Sequence, residues 1–135
     1  MHANYLAVLV AALAHSALGA IWYSPLLFGK KWMELCKKTP EEIKLMKNGA
    51  FRAYAQNFIG TYVLVYVMGQ IFWLFNIHGV SQGLQIASWL WLGFIPTVNY
   101  ATVIFEKRPL GVYLMQCGHQ LLGFLAIGAI ISTWP

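Results

Sequence analysis

The chain has 135 residues, 59% of them hydrophobic, and its mean hydropathy is +0.60. Only 10% of the residues are charged, whereas a soluble domain carries about 25%, so an ordinary soluble domain is excluded. The two cysteines are too few for a disulfide framework or a cysteine-rich metal site, and we expect no bound metal.

The charged side chains fall in two short windows, Lys30 to Arg52 and Glu106 to Arg108. The stretches 1–29, 53–105 and 109–135 contain no Asp, Glu, Lys or Arg. Since about 20 apolar residues cross a bilayer, these stretches predict one, two and one membrane helices. We therefore expect an all-α polytopic membrane protein, with four transmembrane helices in an antiparallel bundle and a basic amphipathic cytoplasmic loop.

The first apolar segment has no basic residue before it, so we interpret it as a retained span and not as a signal peptide. Ser24 and Pro25 interrupt this segment. A short turn through Gly83 predicts that the second and third spans are antiparallel neighbours. In chain order the prediction is one domain, 1–135, with spans at about 4–23, 56–77, 84–105 and 110–132 and an amphipathic inner loop at 26–55.

Both charged windows lie on one side of the predicted membrane, with nine basic residues there and none on the other side. The positive-inside rule places this side in the cytoplasm, with both termini outside the inner membrane. Basic residues beside spans typically contact lipid, so the lipid bilayer is an expected partner and nucleic acid is not. The expected headgroup contacts are Lys30, Lys31, Lys37, Lys38, Lys44, Lys47, Arg52, Lys107 and Arg108.

The first loop contains a helix-start signal. Thr39 suits the N-cap, Pro40 suits the first helical position, and Glu42 stands three residues after the cap. Apolar stripes before and after Thr39 predict two short amphipathic helices that lie in the inner headgroup region.

Three segments carry a family resemblance: NYLAVLVAAL at 4–13, WYSPLLFGK at 22–30 and FEKRPL at 105–110. Together they resemble a bacterial family of small four-span membrane proteins known only as a domain of unknown function. The resemblance implies a four-helix inner-membrane protein and brings no catalytic residue with it. It also leads us to expect an aromatic residue where this chain has His119, so no family role transfers to that histidine.

Polar residues within the spans are the candidate functional residues. His15 lies roughly 16 Å into a hydrocarbon core about 30 Å thick, and His119, nine residues past Leu110, lies roughly 13 Å in from the opposite side of the membrane. The two histidines are therefore predicted to meet if the first and last spans pack together. A stripe of Ala7, Ala11 and Gly19 suits the first span to close helix packing.

Three roles are open for these histidines: interhelical hydrogen bonding, cofactor binding to haem or a chlorophyll-type pigment, and a proton relay or solute site. No motif specifies a cofactor. Pro96 predicts a kink in the third span, which either lines a cavity or is accommodated by neighbouring helices. The other polar residues expected inside the membrane are Gln70, Asn99, Gln116 and Gln120.

The sequence contains no paired carboxylates, no glycine-rich phosphate loop and no Ser/His/Asp set, so we do not expect an enzyme. The first hypothesis is a structural or accessory subunit that packs with itself or with a larger membrane complex. The second is a small oligomeric transporter or channel that uses the histidines. The third is a haem- or pigment-binding membrane protein.

Overall fold

A computed structural model describes residues 4–24 and 27–134 of the chain. This part of the chain is helical and contains no strand. Four apolar spans in it are long enough to cross a membrane, the third being α5 and α6 together, so the predicted all-α fold of a multi-pass membrane protein is confirmed. The helices are α1 (Tyr5–Trp22), α2 (Gly29–Leu35), α3 (Pro40–Asn48), α4 (Ala50–Leu74), α5 (Val80–Phe94), α6 (Pro96–Phe105) and α7 (Leu110–Thr133).

The ends of the membrane helices depend on capping residues and on how far each helix continues beyond the hydrocarbon. The Asn4 side chain caps α1 by accepting a hydrogen bond from the backbone N of Ala7, at 3.1 Å. Pro25, which the sequence identified as the interruption after α1, lies outside the described residues. The helix α4 begins at Ala50 and not near 56, because hydropathy does not mark the end of a helix that continues into the headgroup region.

The first loop forms α2 and α3. Thr39 Oγ1 accepts a hydrogen bond from the backbone N of Glu42 at 3.2 Å, and Pro40 occupies the first position of α3, so the predicted helix start is confirmed. The helix α3 has no buried residue. In contrast, α2 packs on α7, where the Leu35 side chain lies against Gly111. The two loop helices therefore differ, since α2 packs on the bundle and α3 is exposed.

The last helix, α7, is the centre of the bundle. It packs on α1 and α5, while α4 packs mainly on α1. The prediction that the second and third spans pack as neighbours is wrong, because α4 and α5 make no extensive contact with each other. The connecting turn explains this, since the backbone N of Gly79 donates to the carbonyl of Ser132 at 3.0 Å and carries the chain to the end of α7.

Small residues on both helices allow α5 to pack closely against α7. A Cβ atom added at Gly83 would lie 2.5 Å from the carbonyl oxygen of Gly128, so the two backbones are nearly in contact. Ala87 and Ser132 continue the small surface one turn later on each helix. Small residues four apart on both helices are the usual basis of close helix crossings in membranes.

The apolar core occupies the half of the bundle away from the charged loops. Ala7 and Ala11 of the predicted stripe are both fully buried there. They pack in one cluster with side chains of α4 and α7, including Phe72 and Ile127. The stripe of small residues on α1 therefore packs against other helices of the same chain.

Candidate functional site

A cleft of about 790 Å³ lies in the half of the bundle nearer the charged loops. Its floor is formed by α1 and α7, and its walls by α4 and by the α5–α6 junction at Ile95. This volume is within the range of about 300–1,000 Å³ that is common for ligand pockets. The polar side chains that line it include His15, Tyr23, Asn57, Asn99, His119 and Gln120.

The two histidines meet at the floor of this cleft. Their ring centroids are 5.2 Å apart and the rings are inclined by 60°. The prediction that His15 and His119 come together is therefore confirmed. The His119 ring also lies edge-on to the Tyr23 ring, with centroids 5.7 Å apart.

Each imidazole occupies a niche made by a glycine of the opposite helix. A Cβ atom at Gly19 would lie 2.9 Å from His119 Nε2, and one at Gly123 would lie 2.6 Å from His15 Nε2. The pattern His-x-x-x-Gly therefore occurs once in α1 and once in α7, and the two copies pack reciprocally. Gly123 was not predicted as a site residue from the sequence, although the repeated His-x-x-x-Gly spacing is a signal that identifies it. Gly19 was predicted to allow close packing of another helix, and the atoms that lie nearest to it are those of the His119 imidazole ring.

Hydrogen bonding orients His15 and leaves other polar atoms without partners. His15 is 3% exposed, and its Nε2 lies 3.1 Å from Gln120 Oε1. Since this amide oxygen only accepts, Nε2 carries the proton and Nδ1 is left as an acceptor. Neither His15 Nδ1 nor His119 Nε2, both buried, has a partner among the described residues.

The other predicted polar residues are divided between the cleft and the core. Asn99 lines the cleft and donates through Nδ2 to the carbonyl of Ile95 at 2.9 Å. Gln116 lines the cleft and accepts from Arg108 at 2.9 Å. Gln70 is not among the cleft residues, and its buried Oε1 has no hydrogen-bond partner in the described part of the chain.

Arg108 departs from the prediction for the basic residues. It is half-buried and turns toward the cleft, whereas most of the basic residues predicted to contact headgroups are exposed. Half-buried Lys38 lies in the loop, 3.8 Å from Glu42.

The kink at Pro96 is held by two hydrogen bonds to α7. The Tyr113 hydroxyl donates to the carbonyl of Pro96 at 2.7 Å, and Trp91 Nε1 donates to the carbonyl of Cys117 at 2.9 Å. The helix axis is interrupted at Ile95, which lines the cleft. The kink is thus accommodated by a neighbouring helix and also shapes the cleft.

The cleft is open toward the charged loops and along α4. Four residues that line it, Ala20, Tyr54, Asn57 and Gly60, are exposed. Toward the far side of the bundle the apolar core closes it.

Comparison with known proteins gives a family and no activity. Residues 6–132 match a family described as "Protein of unknown function (DUF1761)". None of the curated proteins and none of the solved structures matches the chain. The match covers nearly the whole chain, and the chain therefore belongs to the DUF1761 family, as the resemblance of its sequence to a family of unknown function implied.

Proposed function

We propose that this protein is a small membrane carrier that binds its substrate in the cleft between α4 and α6. The observation that carries the proposal is the pair of imidazoles at the cleft floor, one buried (His15) and one half-buried (His119), whose buried His15 Nδ1 and His119 Nε2 atoms lack partners among the described residues. An unpartnered buried polar atom costs about 1–3 kcal/mol, and in the proposed bound state a rotation of the rings toward the cleft lets a bound molecule supply the missing hydrogen bond. The proposed role is binding and translocation, not enzymatic catalysis.

The shape of the cleft supports a carrier open to one side. The cleft is exposed near the charged loops, and the core around Phe72 and Ile127 closes it toward the other side. Access from the second side then requires α4 or α6 to move relative to the α1–α7 pair. Four helices provide few walls, so the proposal includes further copies of the chain, or lipid, as the cover of the open side.

We place this carrier in the inner membrane of a bacterium, with α2 and α3 in the cytoplasm and both termini outside. The nine basic residues that flank the spans on one side support this orientation. The cleft then opens toward the cytoplasm.

The orientation predicts an asymmetric labelling pattern. In whole cells Cys36 is expected to resist an impermeant thiol reagent, whereas a cysteine introduced by Ser81→Cys reacts, because Ser81 is exposed at the first turn of α5. The measurement is gel-shift labelling in a Cys117→Ser background, with permeabilised cells as the control for the reactivity of Cys36. Labelling of Cys36 in intact cells would contradict the proposed orientation.

Filling the cleft is expected to remove the bound molecule without unfolding the protein. Gly60 lines the cleft, and a Cβ atom added there would meet nothing within 4 Å, so Gly60→Trp places an indole in the cleft. Gly93 has equally open surroundings and does not line the cleft, which makes Gly93→Trp the matched control. The measurement is mass spectrometry of organic extracts from the purified proteins.

A small molecule present in the wild type and in Gly93→Trp, and reduced at least about tenfold in Gly60→Trp, is the expected result. Equal amounts in all three extracts, or no bound molecule in any of them, would argue against a binding cleft.

An accessory-subunit role is the second candidate, and the third span favours it. The helix α6 has no buried residue, and exposed Gly93, Thr97 and Ala101 stand four apart on this span. A partner helix fits such a surface. Co-purification of a second membrane protein in stoichiometric amount, and its loss in Gly93→Leu, would support this role.

Haem or pigment binding by His15 and His119 has less support. The two rings contact each other, so a macrocycle held between them requires the rings to separate. A visible absorption spectrum of the gently purified protein tests this role.

A further inference from the structure

Arg108 lies at the mouth of the cleft. Its Nη1 donates to Oε1 of Gln116, a cleft residue, at 2.9 Å. Its charge is also within electrostatic range of the Tyr23 phenol, which lines the cleft. A guanidinium has five N–H donors, so most of its donors remain available to a ligand.

This guanidinium has no carboxylate partner. The one ion pair between described residues joins Lys38 and Glu42 in the loop, at 3.8 Å. Arg108 is half-buried, and a partly desolvated cation without a counter-ion attracts an anion. The planar fork of its donors matches a carboxylate or a phosphate.

The interior of the cleft also suits an anion. The acidic residues of the chain are Glu34, Glu41, Glu42 and Glu106, and none of them lines the cleft. Its polar lining consists of neutral amides, hydroxyls and imidazoles, which offer donors without a competing negative charge.

The side walls favour a molecule with an apolar body. Phe58 and Leu64 on α4 and Ile95 at the α5–α6 junction line the cleft, and α4 and α6 make no extensive contact with each other. Exposed cleft residues on α4 run from Tyr54 to Gly60, a distance of about 9 Å along the helix. The opening therefore extends from the headgroup region into the hydrocarbon part of the bilayer, and it is accessible from the lipid.

From these observations we infer that the cleft binds a membrane-dissolved amphiphile with an anionic head. The head, a carboxylate or a phosphate ester, pairs with Arg108, and the apolar chain lies between α4 and α6. This inference rests on the proposed carrier function and specifies its substrate class.

The experiment uses a diazirine analogue of palmitic acid and the full-length protein in phosphatidylcholine nanodiscs. The readout is photolabelling of the α4 segment 54–64, quantified by mass spectrometry after digestion. The test variant is Arg108→Gln, which keeps a polar side chain and removes the charge. Lys107→Gln is the matched control, because it removes the same charge from the exposed neighbouring residue.

Arg108→Gln is expected to reduce labelling about tenfold, the change that corresponds to loss of a charge-assisted hydrogen bond, and Lys107→Gln less than about twofold. Unlabelled palmitate or phosphatidylglycerol competes for the site, and whichever competes identifies a free acid or a phospholipid as the source of the anion. Neither hexadecanol, which lacks the charge, nor butyrate, which lacks the chain, competes. Size-exclusion profiles confirm that both variants are folded.

Equal effects of the two substitutions would overturn the inference, because they would reflect general surface charge. Competition by hexadecanol equal to that by palmitate would also overturn it. Neither result affects the carrier proposal, because the comparison of Gly60→Trp with Gly93→Trp does not depend on the charge of the bound molecule. Absence of labelling at 54–64 in the wild type would likewise overturn the inference.

Discussion

Replacing Gly83 by leucine is expected to destabilise the protein by about 3 kcal/mol, the upper end of the usual cost of overpacking, and to separate α5 from α7. A side chain at this position meets the Gly128 carbonyl oxygen, 2.5 Å from the first added carbon, as well as the Ser132 side chain. A backbone carbonyl cannot rotate away as a flexible side chain can, so the helices must move apart. The measurement is the unfolding free energy in bicelles, by steric trapping or by denaturant titration.

The control is Gly93→Leu in the same helix. A Cβ atom at Gly93 meets nothing within 4 Å, so the same chemical change there is expected to leave the unfolding free energy within about 0.5 kcal/mol of the wild-type value. If the two substitutions destabilise the protein equally, the contact between α5 and α7 does not depend on the glycine crossing.

The second large effect is expected from His119→Leu, which removes both ring nitrogens at similar volume. The fold is expected to survive, because His119 Nε2 has no hydrogen-bond partner among the described residues and leucine keeps a similar volume in the niche at Gly19. Retention of the molecule that Gly60→Trp excludes is expected to fall about tenfold, since a ligand then loses the His119 imidazole of the cleft floor as a hydrogen-bond partner. The readouts are thermal stability and mass spectrometry of the extracted molecule.

His78→Leu is the control for this change, because His78 is exposed in the turn between α4 and α5 and far along the chain from the cleft residues. Full retention of the bound molecule in His119→Leu would assign the imidazole to helix packing alone. Loss of both stability and binding would indicate that the ring mainly fills the niche at Gly19.

Parts of the candidate site could be predicted from local spacing. The distance of each histidine from the end of its span places His15 and His119 at similar depth, and their contact at 5.2 Å agrees with it. Position along a helix is a local property, so it can be read from the sequence. The niche at Gly123 and the inward turn of Arg108 depend on which helix lies opposite, and the spacing within one span does not contain that information.

Local sequence features alone predict the four spans, the common side of the two charged windows and the cap at Thr39. Each of these follows from the preference of a short segment for hydrocarbon, for the headgroup region or for a helix start. In contrast, the packing of α5 on α7 and not on α4, which leaves room for the cleft, is seen only in the folded structure. The physical reason is that lipid is as apolar as the side chains, so hydropathy does not distinguish one helix pair from another. Small residues such as Gly83 and Gly128 favour the α5–α7 pair because they allow the two helices to approach closely. This contribution arises only when the two helices are in contact.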